Sequence, residues 1–229
     1  MQWNGLTQAL LTTTLVATSL LSGTIACATS ASQYRSQGLS YRSQGRLPEA
    51  IVALQKAADL EPKNLAGQVV LGWTLHLAGQ EQRAATVLER NLRYNPYHVQ
   101  TLNALGIVYL VQGELLSAVL THGWAAILAP NNEIPYYNLS LSFERLHCYD
   151  WAIVTATRAA TLEPENPHPL VALSIAHWGK AETQIAQQIY RQAISVDGRY
   201  QNSDFLAYLN EAGFSADQIE RSRQVLQSL

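Results

Sequence analysis

The sequence predicts an all-α fold, an α-solenoid of antiparallel helix pairs with a C-terminal capping helix pair. The first observation behind this prediction is a 34-residue period that holds without an insertion from about residue 31 to residue 200. The second is that each period contains two stretches of about a dozen residues with apolar side chains at helical spacing. The third is that a glycine separates the two stretches in the first three periods. A proline, which cannot donate the next helical hydrogen bond, ends the first four.

Small residues recur at two positions of every period. Because they carry little or no side chain, they would let the two helices of a pair, and successive pairs, approach closely. In the first stretch these residues are Gly38, Gly72, Gly106, Ser140 and Ser174. In the second stretch they are Ala50, Ala84, Ala118, Ala152 and Ala186.

These positions resemble the signature of the tetratricopeptide repeat family, in which a Trp, a Leu-Gly pair, a Tyr, an Ala, an aromatic residue and a Pro recur at fixed offsets. Tyr34 stands where the Trp is expected. The matching residues include Leu71, Gly72, Leu105, Gly106, Tyr41 and Tyr109. The sequence departs from the signature at Asn91, His122, Ala156 and Gly198. The resemblance implies a right-handed superhelix whose first helices line a concave surface, and it implies a role in binding other proteins.

The resemblance places five repeats at residues 31–64, 65–98, 99–132, 133–166 and 167–200. In the fifth repeat, Gly179 precedes Lys180, which predicts an early turn between its two helices. Residues 201–229 leave the repeat and are predicted to form the capping pair. A short helix carrying Phe205, Leu206 and Leu209 would end at Gly213, and Ser215 with Gln218 would form a capping box that begins the last helix.

An apolar leader occupies residues 1–30. No charged side chain occurs before Arg35, and Leu6–Ala28 is apolar over a length that could cross a bilayer. This pattern is consistent with a cleaved signal peptide with an Ala-x-Ala site at Ala26–Ala28, or with a lipoprotein signal whose lipid is attached to Cys27. An exported or membrane-associated location is therefore expected.

An uncleaved membrane anchor is the alternative for the leader. Three arginines follow the apolar run, at Arg35, Arg42 and Arg46. By the positive-inside tendency they would hold the repeats on the cytoplasmic side of the membrane.

Composition and motifs argue against several classes of function. Only 14% of the residues are charged, the net charge is −2 and no long basic run occurs, which argues against a nucleic-acid partner. The sequence contains no glycine-rich phosphate loop, no Cys-x-x-Cys and no His-Glu-x-x-His, and its six histidines show no i, i+4 pair. We therefore predict no catalytic residue, no cofactor and no metal.

The predicted partner-binding groove is the concave face that the resemblance assigns to the first helices. Its lining is strongly apolar, which is unfavourable in water unless covered. We therefore expect an apolar or amphipathic peptide or helix of a partner protein to bind there, with aromatic side chains contributing most. The lining residues are Val69, Trp73, His76, Leu77, Asn103, Ile107, Leu110, Tyr137, Leu141, Val171, Ile175 and Trp178.

Two functions fit this organisation. The first is a non-enzymatic, membrane-targeted or exported scaffold that helps to assemble an envelope or membrane protein complex. Its domain plan is similar to that of bacterial outer-membrane lipoproteins acting in pilus or envelope assembly, and to that of membrane-anchored photosystem assembly factors. The second is a structural module whose groove is filled by its own tail or by a second copy, giving a homodimer.

Overall fold

The computed structural model describes residues 30–229 and contains no strand in that range. The leader, with its expected cleavage, lipidation or anchoring, lies outside the described residues. Among residues 30–229, no helix combines the length and apolar character needed to cross a membrane. The α-helices are α1 (30–43), α2 (Leu47–Leu60), α3 (Leu65–Leu77), α4 (Glu81–Tyr94), α5 (Val99–Gln112), α6 (Leu115–Leu128), α7 (Glu133–Arg145), α8 (Tyr149–Leu162), α9 (Pro167–Gly179), α10 (Thr183–Val196) and α11 (Ala216–Gln227).

The helices form two compact units, which divide between Gly79 and Gln80. In the N-terminal unit, α2 packs against α3. In the C-terminal unit, each helix from α4 to α10 packs against the next, and α5, α7 and α9 also contact one another in sequence. Two short 3₁₀ helices, Gly198–Gln201 and Phe205–Asn210, connect α10 to α11. The predicted all-α architecture of consecutive helix pairs is confirmed.

The recurring small residues lie where two helices of a pair touch. A Cβ atom added to Gly38 would lie 2.6 Å from Cγ of Leu54, so a larger residue would push α1 away from α2. At Gly106, an added Cβ would collide with the ring of His122. In the last repeat, the Ser174 hydroxyl donates a hydrogen bond of 2.8 Å to the Ala186 carbonyl.

The turn within each pair uses a residue in the left-handed region at the same position of every repeat. Gly45, Gly79 and Gly113 have φ angles of 74°, 69° and 80°. The equivalent residues in the fourth and fifth repeats are His147 and Ala181, with φ angles of 58° and 63°. Because side chains disfavour this region, the repeat geometry overrides local preference at these two turns.

The prediction of an early turn at Gly179 in the fifth repeat is wrong. Helix α9 includes Gly179, and the left-handed residue of that turn is Ala181, in register with the other repeats. Gly179 has a packing role instead, since an added Cβ would collide with the ring of Tyr149.

One hydrogen bond from a second helix to the preceding proline recurs with different donors. The indole N–H of Trp124 donates to the Pro96 carbonyl at 3.2 Å. Thirty-four residues later, the guanidinium of Arg158 donates to the Pro130 carbonyl at 2.8 Å. Both bonds fix a second helix to the loop of the repeat before it.

His122 of α6 is a fully buried histidine. Burial lowers its pKa from 6.5 to about 3, so the ring is neutral in the folded chain above that pH. In the unfolded chain, a histidine takes up a proton below about pH 6.5. The unfolded state therefore binds more protons between these two pH values, and folded stability decreases as pH falls through this window.

We expect His122→Leu to remove this pH dependence. At pH 5 the buried histidine makes the free energy of unfolding lower by about 2 kcal/mol than at pH 7.5. Urea unfolding of wild type and His122→Leu at both pH values measures the difference. The control is His147→Asn, because His147 is exposed and asparagine tolerates its left-handed conformation. An equal pH dependence in wild type and His122→Leu would contradict the assignment.

Candidate partner-binding site

In the N-terminal unit, the predicted groove residues lie on α3. Val69, Trp73 and His76 are half-buried, and Leu77 is 47% exposed. The ring centroids of Trp73 and His76 are 4.9 Å apart, so the two rings are in contact. Helix α3 thus presents an aromatic pair and an exposed leucine.

A polar cluster fixes the start of α3. The Asn64 side chain accepts a hydrogen bond of 2.9 Å from the Gly67 amide and donates one of 2.8 Å to Glu61. Arg35 of α1 forms an ion pair with the same Glu61 carboxylate. The hydrogen bond from Asn64 and the Arg35 charge lower the pKa of Glu61, which keeps this carboxylate ionised.

In the C-terminal unit, the first of the predicted groove residues lie on α5. Ile107 is half-buried, whereas Leu110 is 1% exposed and belongs to the hydrophobic core. Asn103 is 9% exposed, and its side-chain oxygen has no hydrogen-bond partner among the described residues. A buried hydrogen-bond acceptor without a donor lowers the stability of the folded chain. Helix α5 therefore offers a half-buried isoleucine beside an unsatisfied acceptor.

The groove residues of α7 and α9 are covered by the C-terminal segment of the same chain. Leu141, Val171 and Ile175 have no exposed surface and share one core cluster with residues of that segment. Tyr137 and Trp178 are half-buried and pack against the same cluster. The residues that the C-terminal segment contributes are Leu206, Leu209, Phe214, Ile219 and Val225. In this arrangement a partner reaches Leu141, Val171 or Ile175 only after the tail moves away.

Polar contacts fix the position of this tail. The Tyr137 hydroxyl donates a hydrogen bond of 2.5 Å to the Ala212 carbonyl, and burial raises the Tyr137 pKa well above 10. The side-chain amide of Gln218 donates to the Leu141 carbonyl at 3.1 Å and to the Glu144 carboxylate at 2.8 Å. Arg221 forms an ion pair with the same carboxylate, which is 1% exposed.

The predicted capping box at the start of α11 is confirmed. The backbone N–H of Gln218 donates to the Ser215 hydroxyl at 3.3 Å, and the backbone N–H of Ser215 donates to the Gln218 side-chain oxygen at 3.0 Å. The side chain of Gln218 therefore uses its oxygen to cap α11 and its nitrogen to attach α11 to α7.

In the described part of the chain, no group of three or more His, Cys, Asp or Glu residues could hold a metal ion. The sequence did not predict the contact between Glu144 and the tail. Opposite charges at Glu144 and Arg221 were the available signal, but the two residues are distant in sequence and many other charge pairs were equally possible.

Comparisons with known proteins agree with this architecture. A sequence profile described as tetratricopeptide repeat matches residues 36–64. The BBSome complex member BBS4 homolog of Drosophila melanogaster is 25% identical over 186 residues, which are 76% of this chain and 38% of that protein. The chain thus spans about two fifths of the length of this relative.

Solved structures of MamA proteins share the fold. One crystal structure of MamA is 20% identical, with a TM-score of 0.66 over 75% of this chain and 94% of MamA. MamA from Desulfovibrio magneticus RS-1 is 23% identical, with a TM-score of 0.67 over 73% of this chain and 95% of MamA. At this level of identity the likeness establishes a common architecture of repeated helix pairs.

We expect Arg221→Met to loosen α11 from α7. The variant leaves the Glu144 carboxylate buried without its cation, which lowers the free energy of local opening by about 2 kcal/mol and speeds amide exchange roughly 30-fold. Hydrogen–deuterium exchange over Ala216–Gln227 measures this change. Adding Glu144→Gln should restore most of the protection, because a neutral amide needs no cation and can still accept from Gln218.

The matched control is Arg223→Met. Arg223 pairs with Glu220 on the same helix at 3.4 Å, and the Glu220 side chain is 57% exposed. A surface pair of this kind contributes little to stability. If Arg223→Met and Arg221→Met accelerate exchange equally, Glu144 does not anchor the tail.

Proposed function

Because this chain is a tetratricopeptide repeat protein, we propose that it is a non-enzymatic scaffold that binds an amphipathic helix or apolar segment of a partner protein. Each unit offers binding residues of its own: Val69, Trp73 and Leu77 on α3 in the N-terminal unit, and Ile107 on α5 in the C-terminal unit. Aromatic and aliphatic side chains supply the affinity, and the polar groups among them orient the bound segment.

The observation that carries this proposal is the way α11 lies on α7 and α9. It is an amphipathic helix whose Ile219 and Val225 share a core cluster with Val171 and Ile175 of α9, and it attaches to α7 through Gln218 and Arg221. The chain therefore contains an example of the ligand that its first helices accept. A partner helix with the same distribution of apolar and polar residues would suit the neighbouring first helix, α5.

The half-buried residues of α3 support the same proposal. The ring centroids of Trp73 and His76 are 4.9 Å apart, so a bound segment would meet an indole that already contacts a neighbouring ring. Partly exposed aromatic side chains of this kind contribute much of the affinity in protein interfaces.

The proposal also includes location. The apolar leader would direct the chain to the cell envelope or another membrane, where it would assist the assembly of a membrane or envelope protein complex. The Drosophila relative is named as a member of a protein complex, which supports a role within an assembly.

A peptide-display selection on the full chain tests the binding proposal. We expect the enriched peptides to be amphipathic helices. Trp73→Ala should weaken the peptides that bind α3, and Ile107→Asp those that bind α5, at least about 10-fold, as expected for the loss of a central apolar contact. Affinity is measured by fluorescence anisotropy with the enriched peptides.

Trp151→Ala is the matched control for the loss of an indole. Trp151 is 62% exposed and lies on α8, a second helix, so peptide affinity should stay within about 2-fold of wild type. Enriched peptides without amphipathic character, or equal losses for Trp73→Ala and Trp151→Ala, would contradict the proposal.

Mass spectrometry of the mature chain tests the proposed location. We expect the native host to remove the first part of the leader, leaving a chain that begins at Cys27 with a lipid or at Thr29 after the Ala-x-Ala site. Cys27→Ser should abolish the lipid but permit the second outcome. An intact Met1 in the native host would refute export by cleavage and favour the anchor.

A further inference from the structure

The exposed side of α6 is apolar along its whole length. Leu116, Leu120 and Ile127 are 70%, 75% and 69% exposed, and no charged side chain occurs in Leu115–Leu128. Exposed apolar surface that is contiguous marks an interaction site more often than scattered residues do. Neither the first-helix face nor the tail accounts for this surface.

Gly123 lies within this stripe, in the interior of the helix. A Cβ atom added to it would meet no atom within 4 Å, unlike one added to Gly106 or Gly179. Glycine destabilises a helix interior relative to alanine. No described contact of the chain requires the missing side chain, so we look for the reason in a second molecule that approaches this point.

The residues of the stripe have the same spacing whether the helix is read from its N-terminus or from its C-terminus. Leu116, Leu120, Gly123 and Ile127 are separated by four, three and four residues, the spacing of a helix–helix seam. If a second α6 packs antiparallel about a point between Leu120 and Gly123, Leu116 faces Ile127 of the other copy. Leu120 then faces Gly123, and its side chain fills the space that glycine leaves open.

We propose that α6 pairs antiparallel with α6 of a second copy of this chain, forming a two-fold symmetric dimer. Such an interface is self-complementary, as two-fold symmetry requires. In the antiparallel pairing, the large Leu120 of each copy lies opposite the small Gly123 of the other, and Leu116 lies opposite Ile127. Because α6 carries no charge, the pairing brings no like charges together at the symmetry axis.

Neighbouring residues extend the contact. A stable interface buries roughly 800 Å² per partner, more than one helical stripe provides. Trp124 lies beside the stripe and is 40% exposed, and its N–H already donates to Pro96, so its burial leaves no donor unsatisfied. On α8, Trp151 and Val154 are 62% and 59% exposed, and Val154 occupies the position equivalent to Leu120.

A second copy suits these features better than a lipid surface does. A bilayer would accept the leucines and tryptophans, but it would gain nothing from a glycine between them. A helix needs that glycine for close approach. The dimer and the lipid contact also differ in stoichiometry, which makes them separable by experiment.

Sedimentation equilibrium of the full chain in mild detergent tests the association. We expect wild type to dimerise at micromolar concentration, and Leu120→Glu or Gly123→Leu to raise the dissociation constant at least about 100-fold. The matched control is Gln188→Glu, because Gln188 is exposed and occupies the position of Leu120 two repeats later. Circular dichroism of each variant checks that the helices persist.

Cysteine cross-linking tests the orientation, in a parent in which serine replaces Cys27 and Cys148. A mixture of Leu116→Cys and Ile127→Cys chains should cross-link through a short bismaleimide. Leu116→Cys alone should not, because the two copies of residue 116 lie about 16 Å apart along the antiparallel helices. Self-cross-linking of Leu116→Cys would overturn the antiparallel arrangement.

Two further outcomes would overturn the proposal. One is a wild-type chain that remains monomeric at about 100 μM, well above the micromolar range of a specific interface. The other is a Leu120→Glu chain that keeps the wild-type mass but loses binding to phosphatidylcholine vesicles, which would assign the stripe to lipid.

Discussion

The structure depends on the close approach of two helices within each pair. Gly38, Gly106 and Ser174 lie where their helices touch the partner helix, and the added bulk of one methyl group at either glycine would collide with a neighbouring side chain. Dispersion contacts fall off steeply with distance, so small residues at these points allow the rest of each interface to pack. The apolar faces that remain uncovered are consequences of this packing.

The repeat makes the same position serve different purposes. Leu120, Val154 and Gln188 are equivalent residues on α6, α8 and α10, and all three are exposed. Since none contributes to the buried core, their chemistry is free to vary, and the apolar side chains are concentrated on α6 and α8. In a repeat protein, the residues that differ between equivalent exposed positions are those that distinguish one surface from another.

Most of the fold could be predicted from the sequence because its determinants are local and repeated. The period, the turn glycines and the capping box of Ser215 and Gln218 each depend on residues close together in the chain. The turn at Ala181 could not be predicted, because a glycine two residues earlier gave a stronger local signal. Ala181 takes the left-handed conformation at the repeat position of Gly113. The turn makes the same backbone hydrogen bonds there, from Ala181 to the Trp178 carbonyl and from Glu182 to the His177 carbonyl.

The residues of the candidate site could be predicted from the sequence, but the C-terminal tail that covers some of them could not. Helical spacing identified Leu141, Val171 and Ile175 as members of the first-helix face. Their coverage by the tail depends on Gln218 and Arg221 meeting Glu144, more than 70 residues away in sequence. No local pattern predicts such a contact. The local sequence of the tail is equally compatible with a capped helix that stays exposed to solvent.

The tail explains why an apolar first-helix face is compatible with a stable chain. Helices α7 and α9 present several aliphatic residues that would be unfavourable in water, and α11 removes them from solvent. What stays partly accessible on the first helices is a mixture of polar and apolar groups: His76 beside Trp73 on α3, and Ile107 on α5. Affinity there rests on few apolar contacts, so the polar groups have a large share in deciding which segment binds. The division between a covered aliphatic part and an accessible mixed part therefore favours selective over indiscriminate hydrophobic binding.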